Sequence, residues 1–341
     1  MKPTVEFFRS EIPEIDNRYV DEHLSRLEDG YFNRFSSDEV KKHILIISEL
    51  TSKNPFELIL KKMRDESIEL TILSFDYPSV FSLITGILAG TGFNILSGDV
   101  YTYRRIEKID KKKGPIKRDR LARDFGDTFE RRRIIDCFSG MLSASMPYRQ
   151  WEVELRDRLG TVIGLLEEEN DESSRKAKNL VNEMVVKQLT IMDTGLTPAL
   201  YPVEIDIDNE ASQFTRLRAI SEDTPAFLYA LSNALSLNGV LIEHVRIRTI
   251  HGRVEDRLDL LDAQGRKIES LQSLDRIKFS LLLTKQFTYC LSKAPDPYSA
   301  LSRFEQLVED IFQLPSREEW LHFLTDSRNL KDLAHLLGES D

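Results

Sequence analysis

Two stretches of 34 residues resemble each other: LTILSFDYPSVFSLITGILAGTGFNILSGDVYTY at residues 70–103 and LRAISEDTPAFLYALSNALSLNGVLIEHVRIRTI at residues 217–250. They align without a gap at an offset of 147 residues, and 8 of the 34 positions are identical. The identical positions include a proline that follows a strand-like run and a glycine that follows a helix-like run. The chain therefore contains an internal repeat.

Each copy predicts the element order β-α-β-β-α. Proline cannot donate to a strand ladder and favours a helix start, so Pro78 and Pro225 mark the change from strand to helix. Gly92 and Gly239 follow the helices, where a left-handed cap is expected. The predicted strands are 69–75, 93–103 and 134–139 in the first copy and 215–222, 240–251 and 254–262 in the second. The predicted second helices are 147–168 and 274–290.

Helical patterns surround the two copies. We expect helices over 16–50, 173–189, 298–312 and 317–337, and over 55–64 because Asn54-Pro55 is typical of a helix start. The predicted domains are a helical segment at 1–65, the first repeat at 66–170, a helical linker at 171–200, the second repeat at 201–292 and C-terminal helices at 293–341.

A basic insertion at residues 104–131 separates the second and third strands of the first repeat. Residues 104–133 hold 13 basic and 6 acidic side chains, whereas the whole chain has a net charge of −10. Such a loop could bind phosphate groups, an acidic protein partner or a catalytic domain, or it could simply be solvated. Only Phe125 and Phe129 could stack on bases, so nucleic acid is not an expected partner.

The remaining composition points to a cytoplasmic protein without a cofactor. No apolar run is long enough to span a bilayer, and the first ten residues lack the pattern of a signal peptide, so no membrane partner is expected. Cys137 and Cys290 are isolated and are expected to be buried. The six histidines lack metal-ligand spacing, and no catalytic constellation is present, so neither metal nor catalytic residues are predicted.

The motifs of the repeat resemble those of the ACT domain, a ferredoxin-like regulatory module. The resemblance rests on four short motifs. They are DYPS at 76–79 and GFNI at 92–95 in the first copy, and DTPA at 223–226 and GVLI at 239–242 in the second copy. Two further stretches are similar to the PII-protein uridylyltransferases. They are the lead-in at 203–212, which precedes the second copy, and YFNRFS at 31–36, with Glu39 and His43 following it.

This resemblance implies an α+β protein with two ferredoxin-like ACT modules, joined by a helical linker and flanked by helical segments. It also implies a non-catalytic regulatory role in nitrogen metabolism, in which an amino acid, glutamine first, modulates a nucleotidyltransferase. We expect the modules to pair within the chain or in a homo-oligomer, since exposed sheet edges favour association.

The resemblance also implies a ligand site at the start of the first helix. Backbone amides near Ser79 and Val80 would bind a ligand carboxylate, Asp76 would accept from its amino group and Asn94 would contact its other end. Pro78 and Ile95 complete this first site, and Asp223, Pro225, Ala226 and Leu241 form a weaker second one. The alternative is that Asp76 only caps the helix and Asn94 only tolerates a turn. Family members often carry glycine where this chain has Ser79 and Ala226.

Two other functions stay open. The chain could be the regulatory part of a nucleotidyltransferase enzyme, a glutamine synthetase adenylyltransferase or a PII uridylyltransferase. Residues 336–341 are similar to the start of the adenylyltransferases, although six residues are too few to carry that assignment. The second alternative is a structural dimerisation module that binds no ligand.

Overall fold

The computed structural model describes residues 4–105, 131–143, 146–191, 204–210, 213–222, 226–291, 294–313, 323 and 327–339. Most of the basic insertion lies outside these residues, as do residues 317–322 and 324–326 of the predicted helix at 317–337. The chain divides into two compact units. The first comprises residues 1–61, 70–77 and 100–137, and the second comprises residues 62–69, 78–99 and 138–341.

Helices and strands of the described residues form a mixed architecture. The helices are α1 (Val5–Glu11), α2 (Asn17–Arg26), α3 (Asp29–Arg34), α4 (Ser37–Glu49), α5 (Val80–Gly90), α6 (Tyr148–Glu167), α7 (Asp171–Ile191), α8 (Phe227–Leu237), α9 (Leu271–Cys290), α10 (Pro297–Gln313) and α11 (Ser327–Gly338). The strands are β1 (Phe56–Lys62), β2 (Ile68–Phe75), β3 (Phe93–Thr102), β4 (Arg133–Leu142), β5 (Glu204–Asp208), β6 (Thr215–Glu222), β7 (Leu241–Ile250) and β8 (Arg253–Leu261). Hydrogen-bonded neighbours follow the order β1-β2-β4-β3-β7-β8-β6-β5 in one antiparallel sheet.

The two repeats adopt the same element order, as the sequence predicts. β2 and β6, and likewise α5 and α8, begin and end at the offset of 147 residues. Gly92 and Gly239 have φ values of 78° and 66°, the left-handed conformation expected after each helix. In the second repeat, His251 and Gly252 form the tight turn between β7 and β8 with φ values of 52° and 75°.

The predicted helix over residues 55–64 is wrong, because this segment is the strand β1. A Thr51–Asn54 bridge turns the chain, and the amide of Met63 donates to the Ser67 carbonyl at 2.8 Å to close the connection to β2. The Ser74 hydroxyl also donates to the Pro55 carbonyl at 3.0 Å. Pairing with β2 therefore overrides the local helix-start signal, and β5 occupies the corresponding place beside β6 in the second repeat.

A series of buried hydrogen bonds connects helices α2, α3 and α4 of the first unit. The Nδ1 of His23 lies 2.6 Å from the Tyr103 hydroxyl, and its Nε2 lies 2.9 Å from the Tyr31 hydroxyl. That hydroxyl lies 2.7 Å from Nδ1 of His43. We call these four residues the His–Tyr network; the exposed fraction of each is 3% or less. Helix α4 begins with a capping box between Ser36 and Glu39, within the predicted helical stretch.

The second unit has two clusters of large apolar side chains. Within the first repeat, Trp151 of α6 stacks on Phe93 at 5.3 Å and donates its indole N–H to the Thr91 hydroxyl at 3.2 Å. In the C-terminal helices, Phe287 of α9 stacks on Phe304 of α10. The predicted helical linker and C-terminal helices therefore pack on apolar side chains. Both cysteines are buried, as expected.

Candidate functional site

The first helices of the two repeats, α5 and α8, pack against each other at equivalent positions. The hydroxyls of Thr85 and Ser232 lie 3.1 Å apart, and these residues correspond to each other at the offset of 147. Contact between equivalent residues is what a twofold axis requires. Gly86 allows the close approach, because a Cβ there would lie 2.8 Å from the Tyr229 ring and 2.3 Å from Val181. The helix pair is therefore related by an approximate local twofold axis.

Both helices begin at a left-handed residue. Ser79 has a φ of 63° and Ala226 a φ of 56°, and each precedes the first helical residue. Non-glycine residues adopt this conformation rarely and at a cost of about 1–3 kcal/mol. The structure thus explains why glycine would suit these two positions. An α-helix leaves its first amide groups without intrahelical acceptors, so each start can receive an anionic group.

A cavity of about 40 Å³ lies at the start of α8. One wall is formed by residues 226–229, and Thr85 and Ala89 of α5 lie beside them. The strands contribute Asn94, Ile95, Thr249 and Asp256. A cavity of this volume holds two or three groups of the size of a water molecule. Its polar groups are the hydroxyls of Thr85 and Thr249, the Asn94 amide, the Asp256 carboxyl and the backbone amides at the start of α8. The arrangement can bind a small ligand that carries both an anionic and a cationic group.

The cavity combines residues of the two predicted sites. Asn94 and Ile95 were expected beside the start of α5, but they line this cavity with Ala226 at the start of α8. Leu241 is half-buried at the start of β7. Asp223 and Pro225 lie outside the described residues.

Other predicted residues of the first site make different contacts. The Ser79 hydroxyl lies 2.5 Å from the hydroxyl of Ser236 on α8, while Pro78 is exposed and Val80 is buried. In the first unit, Asp76 lies 3.4 Å from the Arg132 guanidinium, which also donates to the Tyr103 carbonyl at 2.9 Å.

Sequence reasoning missed Asp256, which is fully buried in β8 and lines the cavity. The sequence did contain a signal for it. The third strands of the two repeats align as RIIDCF from Arg133 and RVEDRL from Arg253, so Asp136 and Asp256 occupy equivalent positions. Asp136 is fully buried too. Burial, with the nearby Asp76 charge, raises the pKa of Asp136 well above its usual range. A buried carboxyl lowers the stability of the folded state unless it is protonated or paired, and both repeats carry one at this position.

A polar cluster fixes α8 to its neighbours. The Tyr229 hydroxyl donates to the Asn182 side chain on α7, and burial raises the pKa of Tyr229 well above its usual range. One turn further, the Asn233 amide donates to Glu305 of α10 at 2.5 Å. Glu305 also pairs with Lys178 of α7 at 2.8 Å. The helix whose start forms the cavity is therefore held by side chains from α7 and α10.

Two searches of the described residues gave negative results. None of the helices described is long and apolar enough to cross a membrane. Across the same parts of the chain, His, Cys, Asp and Glu form no group of three or more that could hold a metal ion.

The chain is similar in sequence to bifunctional uridylyltransferase/uridylyl-removing enzymes. The chain is 23% identical over 266 residues to a bifunctional uridylyltransferase/uridylyl-removing enzyme of Phenylobacterium zucineum, covering 76% of this chain and 24% of that protein. Enzymes of the same description from Rhodospirillum rubrum and Bradyrhizobium diazoefficiens are 25% and 24% identical, over 62% of this chain and 19% of each relative. No family model matches the chain.

The chain is a mixed helix-and-strand protein with a duplicated unit, and it is related to the uridylyltransferase enzymes. It spans about a quarter or less of the length of the curated relatives it matches.

Proposed function

We propose that this chain is the amino-acid-sensing regulatory segment of a uridylyltransferase-type nucleotidyltransferase. The observation that carries the proposal is its similarity over 62–76% of its length to bifunctional uridylyltransferase/uridylyl-removing enzymes. Support comes from the duplicated unit, which resembles paired ACT modules, and from the cavity between α5 and α8. The comparisons favour this assignment over a separate regulatory protein that modulates a nucleotidyltransferase on another polypeptide.

The proposed ligand is a free amino acid, with glutamine as the first candidate. Its carboxylate suits the start of α8, where amide groups and the helix dipole favour an anion. Asn94, at the exposed rim of the cavity, offers both a donor and an acceptor to the other end of the ligand. The insertion at 104–131 is proposed to contact an acidic partner or the catalytic part of the enzyme.

Calorimetric titration and thermal unfolding with glutamine test the proposal. A ligand at 100 times its dissociation constant adds about 2.7 kcal/mol to the free energy of unfolding, which raises the melting temperature measurably. Asn94→Ala should leave the melting temperature without ligand unchanged and abolish the increase. Leu241→Ala, at the equivalent position of the second repeat, is the matched control and should retain it.

The same titration separates a sensor from a structural pairing module. If no amino acid at millimolar concentration produces heat or a shift in melting temperature, the sensing role is wrong. A pairing module would show Asn94→Ala behaving as the unsubstituted chain in every measurement.

A further inference from the structure

One side of the sheet in the second repeat carries arginines beside an acidic edge strand. The pairing register of its four strands aligns, in one row, Asp206 of β5, Arg218 of β6, Arg257 of β8 and Arg246 of β7. Residues directly opposite each other in an antiparallel pair point to the same side of a sheet. We call this side of β5–β8 the outer face. Alternate residues, such as the fully buried Leu258, point to the opposite side.

The middle of the outer face presents positive charge. Four guanidinium groups share two carboxylates there: Arg218 and Arg257 pair with Glu255, and Arg246 and Arg248 pair with Asp99. The four arginine side chains are 40–59% exposed, whereas those of the two acids are 36% and 11% exposed. The arginines therefore cover the carboxylates with which they pair.

Strand β5 presents the opposite charge. Its acidic residues Glu204, Asp206 and Asp208 are exposed, and they alternate with the half-buried Ile205 and Ile207. β5 is the last strand in the order of the described sheet. The outer face thus has a negative stripe along β5 and a positive stripe across the neighbouring strands.

The equivalent face of the first repeat is covered by its own chain. Tyr101 and Tyr103 occupy the positions of Arg248 and Ile250 at the offset of 147. The Tyr101 ring lies 5.4 Å from that of Tyr31 on α3, and Tyr103 contacts α2 through the His–Tyr network. Both tyrosines are buried, whereas the Arg248 side chain is 40% exposed and Ile250 is 61% exposed. This side of the repeated unit can therefore serve as a packing surface, and the second repeat gives it charges instead of aromatic rings.

We propose that the outer face of the second repeat binds the same face of a second copy of this chain, with the acidic strand of each copy opposite the arginines of the other. In a twofold pair, if residue i contacts residue j, then j also contacts i. A twofold axis parallel to the strands, between β6 and β8, would set β5 of one copy over β7 of the other. Asp206 would then face Arg246, and Glu204 would face Arg248, twice in each dimer. This self-association goes beyond the sensing role and does not depend on it.

The charges favour a second copy over an acidic partner of another sequence. An acidic surface would match the arginines but would repel the exposed carboxylates of β5. A second copy matches both stripes at once. A face of four strands and seven residues measures about 19 by 24 Å, and two such faces bury on the order of 1,000 Å² in total. Because this area is at the low end for specific interfaces, we expect a dissociation constant of roughly 1–100 µM.

Sedimentation equilibrium of the full chain at about 5–200 µM, in low and in high salt, tests the proposal. The unsubstituted chain should dimerise in low salt and dissociate as salt screens the ion pairs. Asp206→Arg and Arg246→Glu each place two like-charge contacts in the dimer and should raise the dissociation constant about ten-fold or more. Both positions are exposed, so each variant should keep the circular dichroism spectrum of the unsubstituted chain.

An equimolar mixture of these two variants gives the sharpest result. In the mixed dimer the two reversed charges face each other, and so do the two original charges, so association should return to that of the unsubstituted chain. Asp157→Arg on α6 and Arg175→Glu on α7 make the same charge changes at other exposed positions. These control variants should associate as the unsubstituted chain does.

Three results would overturn the proposal. A chain that stays monomeric over this range leaves the outer face to solvent or to an acidic partner of another sequence. A dimer that neither Asp206→Arg nor Arg246→Glu weakens uses a different surface. A mixture that stays as dissociated as the separate variants shows that these two residues do not face each other across an interface.

Discussion

Lowering the pH from 7.5 to 5 should destabilise the first unit through the His–Tyr network. Burial lowers the pKa of His43 from 6.5 to about 4, with the Glu39 charge opposing and the Lys42 charge assisting. Burial, assisted by the charges of His43 and Arg133, lowers the pKa of His23 well below 6.5. The folded state keeps both imidazoles neutral, whereas the unfolded state binds protons below pH 6.5. These two neutral histidines therefore make their full contribution to the free energy of unfolding above pH 6.5, and that contribution declines as the pH falls.

The magnitude follows from proton linkage. With pKa values of about 4 when folded and 6.5 when unfolded, His43 alone accounts for a loss of about 2 kcal/mol between pH 7.5 and 5. The full loss of about 3.4 kcal/mol is reached only below pH 4. His23 shifts in the same direction and adds to the loss. Asp136 acts in the opposite sense, because its raised pKa makes the folded state bind a proton that the unfolded state releases.

A variant isolates the contribution of His43. His43→Gln keeps a polar partner for the Tyr31 hydroxyl and removes the titrating group, whereas the Asp136 contribution is the same in both proteins and cancels. Urea unfolding followed by circular dichroism at pH 7.5, 6.5, 5.5 and 5 measures the free energy of unfolding. The unsubstituted chain should lose about 2 kcal/mol more than His43→Gln over this range. His335→Gln, at an exposed position, is the control and should behave as the unsubstituted chain.

Parallel stability curves for the unsubstituted chain and His43→Gln would refute the reasoning. They would show that His43 gains and loses its proton equally in the folded and unfolded states, and hence that the imidazole is accessible to water in the folded protein.

Three further substitutions, the first with a matched control, test the packing around the candidate site and the buried acid. Gly86→Ala should cost about 1–3 kcal/mol in thermal unfolding, because its Cβ would collide with Val181 and Tyr229, whereas Gly164→Ala, which meets nothing within 4 Å, should be neutral or stabilising by up to about 1 kcal/mol. Asn233→Ala should cost about 1–3 kcal/mol by removing the donor to buried Glu305, and an unchanged unfolding midpoint would contradict that contact. Asp136→Asn should stabilise the chain more at pH 8 than at pH 5, since its carboxyl oxygens have no hydrogen-bond partner among the described residues; equal effects at both pH values would show that the carboxyl is not held protonated.

Local signals were sufficient for much of the fold. The helix boundaries at α5 and α8 follow from a proline before and a glycine after each helix, because these residues act through their own backbone angles. The same reasoning failed at β1, where Asn54-Pro55 is equally compatible with a helix start. There the hydrogen bonds to β2 decided the outcome, and they involve residues that the local pattern does not contain.

The candidate site was harder to predict than the elements that carry it. Asn94 and Ala226 were both named from the sequence, but as members of two separate sites. They meet because α5 and α8 pack about a local twofold axis, which brings the start of α8 to residues of the other repeat. Asp256 was not predicted because a single acidic residue in a strand forms no motif. The alignment of the third strands pairs it with Asp136, and the structure shows that both residues are buried and that Asp256 lines the cavity.

The duplication of the unit and the alternation of its strands and helices can be read from the amino-acid sequence, because alignment reveals the repeat and backbone preferences act between neighbouring residues. Which residues face one another across the two copies depends on how the copies pack. Ala89 and Ala226 line the same cavity, and the Ser79 hydroxyl contacts that of Ser236. Both arrangements arise from packing between segments that are distant in the chain, so no local sequence pattern encodes them.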